Sequence, residues 1–82
     1  MTIDRASRKA ALAVYESLPD EERKACDLFL DGVSIKQIAR QLSKSRWTVY
    51  NQLAKLRLKF AVSDNASLMC LVLNARQDKN AE

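Results

Sequence analysis

The apolar positions of the chain fall into five segments, each repeating at the spacing of an α-helix. Residues 1–17 set Ile3, Ala6, Ala10, Ala13 and Val14 on one face, with Asp4 near the start. Leu18 and Pro19 break this pattern, and Asp20, Glu21 and Glu22 then supply the acidic first turn that a helix dipole favours. The second helix carries Ala25, Cys26, Leu28, Phe29 and Leu30 and runs to Asp31. It stops at Gly32, the only glycine, where a left-handed cap needs one. Ser34 with Gln37 three residues later is a capping-box pattern, opening a short helix over 35–42 whose apolar residues are Ile35, Ile38, Ala39 and Leu42. Ser43 and Lys44 form a tight connection before Ser45, which caps a longer helix with Val49, Leu53, Leu56 and Phe60 at i, i+4, i+7 and i+11. A last helix is predicted from Asn65 to Arg76, followed by a frayed tail.

Leu68, Met69, Cys70, Leu71, Val72 and Leu73 in that last helix are consecutively apolar, whereas a surface helix in so small a domain should keep one polar face. A second surface must cover it. A symmetric partner helix is the expected cover, making Leu68, Met69, Val72 and Leu73 a homodimer interface, and the N-terminal helix packing across is the competing arrangement.

Composition narrows the class. One Gly, one Pro and 6% aromatics in 82 residues are too few turn-formers and strand-formers for a small sandwich or barrel, so the expected class is all-α. The length suits one module: a helical extension over 1–17, a domain over 18–76 and a tail over 77–82. The absence of His removes the commonest general base and the usual zinc ligand, and no catalytic pair, metal set or cofactor motif emerges. Cys26 and Cys70 lie far apart inside apolar patterns and read as packed free thiols in a reducing compartment. No apolar run reaches the ~18 residues of a membrane span, so a cytoplasmic, non-enzymatic protein is expected.

The net charge of +4 is unevenly spread. Residues 18–32 carry Asp20, Glu21, Glu22, Asp27 and Asp31 against Arg23 and Lys24, a balance of −3. Residues 33–60 carry Lys36, Arg40, Lys44, Arg46, Lys55, Arg57 and Lys59 with no acid, a balance of +7. Segregation of this kind points to a surface that faces a polyanion.

The short capped helix, the three-residue connection and the longer helix form the pattern of a helix-turn-helix. The stretch from Leu18 to Val62 resembles the DNA-binding domain of the LuxR-type quorum-sensing and response-regulator activators. The matching residues are Glu22, Arg23, Gly32, Ser34, Lys36, Ile38, Ala39, Arg40, Leu42, Ser45, Thr48, Val49, Leu53, Arg57, Lys59 and Val62. The resemblance implies a four-helix domain, here with an additional N-terminal helix, whose third helix enters the major groove and whose fourth dimerises. It implies Lys36, Ser45, Thr48 and Lys59 near phosphates, and Arg46, Trp47, Tyr50 and Asn51 near base edges. Lys44 and Lys55, with Arg57, would add backbone neutralisation. The implied function is a stand-alone transcriptional regulator binding double-stranded DNA. Ser43 and Ala61 stand where the family has glycine, which would cost roughly 1–2 kcal/mol each if both residues are left-handed.

Two other readings follow from the residues. Trp47, Tyr50 and Leu58 on an outward face are typical protein-interaction anchors, which suggests an antiactivator that pairs with a larger LuxR-type regulator. The run from Leu18 to Arg23 ahead of a helix-turn-helix also resembles sigma-factor region 4, which would make RNA polymerase the partner.

Overall fold

Every break in the apolar pattern becomes a helix boundary. The structure is a computed structural model that describes the backbone of residues 5–80 and the side chains of residues 5–77. It holds α1 (Arg5–Ser17), α2 (Asp20–Leu30), α3 (Ile35–Leu42), α4 (Arg46–Lys59) and α5 (Asn65–Asn80), with no strand among the described residues. The fold is all-helical. Ile3 and Asp4, read as the start of the first helix, lie outside the described residues.

The helix starts follow the side chains that can accept a backbone N–H. Ser34 Oγ accepts from Gln37 N at 3.3 Å, Ser45 Oγ from Thr48 N at 3.1 Å and Asp64 Oδ1 from Ser67 N at 2.7 Å. The Ser67 amide stabilises the ionised form of Asp64 and holds its carboxyl below the usual range. Pro19 precedes α2 without a side-chain cap, and Asp20, Glu21 and Glu22 fill that first turn instead.

Three of the helix ends share one geometry. After α2, Gly32 N–H donates to Phe29 O at 3.1 Å and Val33 N–H to Leu28 O at 3.1 Å. After α3, Ser43 donates to Arg40 at 3.2 Å and Lys44 to Ala39 at 2.8 Å; after α4, Ala61 donates to Leu58 at 3.2 Å and Val62 to Arg57 at 3.0 Å. Each pair of bonds is a Schellman cap, and each needs a left-handed residue. Gly32 (φ 82°), Ser43 (φ 55°) and Ala61 (φ 57°) occupy those positions. Ser43 and Ala61 thus hold a left-handed cap without glycine, and the backbone carries the strain.

One core runs through all five helices. Ile38 of α3, Val49, Leu53 and Leu56 of α4, Cys26 of α2, and Leu68 and Val72 of α5 are fully buried, joined by Ala11 of α1 and by Leu18. Helix α1 packs most extensively against α5, while α2 touches α3, α4 and α5. A polar latch closes the same seam. The Tyr15 hydroxyl of α1 donates to Asp27 Oδ1 of α2 at 2.6 Å, and Arg76 Nη1 of α5 approaches the same oxygen at 3.5 Å. Burial and the Asp27 contact raise the Tyr15 phenol to about 12. Arg23 stacks over the Tyr15 ring, 5.8 Å from its centroid, and donates through Nη2 to Glu16 O at 2.7 Å.

These contacts correct two expectations. Leu68 and Val72 are not available to a partner copy, because they are fully buried within the chain itself; of the four residues assigned to a dimer interface, only Met69 and Leu73 remain partly exposed. The second apolar face of α5 meets α1, the arrangement that competed with a dimer. Helix α5 also continues to Asn80 rather than ending at Arg76, so residues 77–80 are helical and not a frayed tail. Cys26 is buried, and burial pushes its thiol up to about 12, whereas Cys70 is only half-buried.

Candidate nucleic-acid interface

The burial of Val49, Leu53, Leu56 and Phe60 fixes the roll of α4, and with it the residues that α4 turns outward. Trp47 is 75% exposed, Tyr50 57% and Leu58 81%, the three large exposed apolar side chains of the described fold. Arg46, Asn51 and Lys55 are exposed as well, Arg46 at one flank of this face and Lys55 at the other, with Ala54 half-buried between them. Lys36 and Arg40 are exposed on the neighbouring α3. Arg46, Trp47, Tyr50 and Asn51, the residues expected near base edges, are all exposed to solvent.

The other assigned residues divide by what already holds them. Ser45 and Thr48 are tied to each other: beyond the cap bond, their hydroxyls lie 3.0 Å apart, and Thr48 is half-buried. Lys44 Nζ lies 3.1 Å from Glu21 Oε1, an exposed pair that competes weakly with any other anion. Lys59 Nζ lies 2.7 Å from Glu22 Oε2, and that carboxylate's side chain is only 15% exposed, so Lys59 is held more firmly. Arg57 donates through Nη1 to Asn65 Oδ1 and braces the start of α5. Among the described residues, Lys36, Arg40, Arg46 and Lys55 form no ion pair and present free charge.

Glu21 and Glu22 are the residues whose part the sequence reading missed. They were assigned to the first turn of α2, a role they keep, but their side chains also reach the basic stretch and lower its net field. The one available signal was the abrupt change from −3 to +7 between adjacent segments, which says that the two blocks differ without saying that they meet. Gln52 of α4 is half-buried, and its Oε1 is enclosed without a hydrogen-bond partner. Among the described residues no group of three or more His, Cys, Asp or Glu side chains could hold a metal ion, and no helix is long and apolar enough to cross a membrane.

Comparison of the chain with protein-family models, with curated proteins and with solved structures returned no match.

Proposed function

We propose that this chain is a duplex-DNA-binding module of helix-turn-helix type, similar to the LuxR-type domain, with α3 and α4 as its two helices and α4 as the helix that enters the major groove. One observation carries the reading. The outward face of α4 exposes Trp47, offers Arg46, Tyr50 and Asn51 as exposed polar contacts, and is flanked by the unpaired Lys36, Arg40 and Lys55. Residues 33–60 contain no acid of their own to repel phosphate. Lys36 and Lys55 neutralise backbone charge and Arg46 and Asn51 meet base edges; such modules act in transcriptional regulation. Since Leu68 and Val72 are enclosed, the proposal is confined to one copy contacting one half-site.

The test uses the single tryptophan. Titration with mixed-sequence duplexes, followed by Trp47 emission at several salt concentrations, is expected to give a change in emission whose midpoint weakens steeply as salt rises. No response at low salt would refute the reading.

The exposure of Trp47 and Leu58 favours a second reading, an interaction protein that docks this face on a larger regulator. Its test is heterodimerisation with a LuxR-type regulator and loss of that regulator's DNA binding.

A further inference from the structure

A helix that met only phosphates would have no use for two exposed aromatic side chains. From Trp47 to Ala54 the axis of α4 advances about 10 Å, within the ~12 Å width of the major groove. Leu58 lies about 6 Å further on, at the groove's margin. The residues that can reach base edges are therefore Arg46, Trp47, Tyr50, Asn51 and Ala54.

Their chemistry matches one kind of base pair. An A·T pair presents a thymine C5-methyl and O4 acceptor beside the adenine N7 acceptor and N6 donor, whereas G·C carries no methyl and is best met by Arg or Lys. Arg46 is the one cation among these five residues. Trp47 offers an apolar ring with a single N–H donor, suited to a methyl beside an acceptor, and Tyr50 offers a ring with a hydroxyl. Asn51 has the amide geometry that pairs with adenine. In the free protein its Nδ2 donates to Trp47 O at 3.0 Å, which leaves Oδ1 open to the adenine N6 donor.

We infer that α4 selects A·T-rich major-groove sequence, covering thymine methyl groups with Trp47 and Tyr50 while Asn51 pairs with adenine. This rests on the DNA-binding reading above and adds to it the base chemistry that the helix prefers. Lys36, Arg40 and Lys55 contribute affinity without preference.

Replacement of thymidine by deoxyuridine removes the C5-methyl and keeps every hydrogen-bonding atom, so it isolates the contact. Three end-labelled duplexes are compared by fluorescence anisotropy at one salt concentration: A·T-rich, the same sequence with deoxyuridine for every thymidine, and G·C-rich. The thymine duplex is expected to bind more tightly than the uracil duplex by about fourfold for each methyl covered, and the G·C-rich duplex is expected to bind least. The double variant Trp47→Ala with Tyr50→Ala, whose side chains lie outside the core, is expected to bind more weakly than the unaltered protein, to bind thymine and uracil duplexes equally, and to keep the slope of its salt dependence. Equal binding of thymine and uracil duplexes by the unaltered protein, with salt dependence intact, overturns this inference and leaves the DNA-binding reading standing. Absence of salt-dependent binding to all three duplexes overturns both and favours a protein partner.

Discussion

Ser43→Gly and Ala61→Gly should each stabilise the fold, although glycine usually weakens a chain. Both residues sit at φ near +55°, where a Cβ crowds the following carbonyl at a cost of about 1–2 kcal/mol. Both side chains are exposed, so their removal sacrifices no packing. Against the relief stands the added freedom of glycine in the unfolded chain, about 0.4–1 kcal/mol. The balance is a gain of about 0.5–1 kcal/mol per site and about 1–2 kcal/mol for the double variant, the two helix ends being treated as independent. For a domain of this size the double variant should melt roughly 5–10 °C higher. Gly32→Ala supplies the mirror experiment. It has the same cap, a φ of 82° and no atom within 4 Å of the added Cβ, so only backbone strain is introduced and a loss of about 1 kcal/mol is expected. Urea denaturation followed by circular dichroism gives all four values at constant m. If the two glycine variants are no more stable than the parent while Gly32→Ala is destabilised, the strain assigned to Ser43 and Ala61 is absent and the reasoning fails.

Other perturbations test separate parts of the structure. Val72→Ala and Leu68→Ala should each cost about 2–4 kcal/mol and leave sedimentation behaviour unchanged at low concentration, since both side chains fill the chain's own core; a shift in association without loss of stability would contradict this. Gln52→Leu should stabilise by about 1 kcal/mol because it removes an enclosed oxygen with no partner, and a loss of stability would show that Oε1 is satisfied. Glu22→Gln frees Lys59 and should raise duplex affinity and steepen the salt dependence by about one phosphate contact; unchanged binding would mean that Lys59 does not face DNA. The raised Tyr15 and Cys26 groups stabilise the fold fully below their ordinary values of 10.0 and 9.0, and that contribution disappears as pH rises toward about 12. Stability in urea should therefore be flat across these two groups up to pH 9 and fall above it, and Tyr15→Phe should reduce the fall.

Local rules read well from the sequence because each depends on neighbours in the chain. Gly32 as a left-handed cap, Ser34 and Ser45 as N-terminal acceptors and the apolar stripe of α4 all follow from spacing alone, and that stripe fixes Trp47, Tyr50 and Asn51 as outward residues. What did not read was set by distance in the sequence. The continuous apolar run from Leu68 to Leu73 states that two faces need cover, and it does not encode that α1, rather than the expected second copy, supplies it. The pairing of Lys59 with Glu22 links residues 37 apart, a contact that no periodicity encodes. The enclosure of Gln52 is set in a similar way: its angle on the α4 wheel lies near the margin, where neighbouring helices decide whether a side chain is enclosed.

The clasp of α1 on α5 has a consequence during synthesis. Helix α1 leaves the ribosome with Ala11 and its neighbouring apolar residues exposed, and the surface that will cover them is translated roughly fifty residues later, after about 3–10 s at ordinary elongation rates. Until then the segment lacks its tertiary cover, and 13 residues make only a marginal helix in isolation, so α1 is expected to become a stable helix when α5 arrives. Arg5, Arg8 and Lys9 leave it positively charged, which opposes its association with the same segment of another nascent chain.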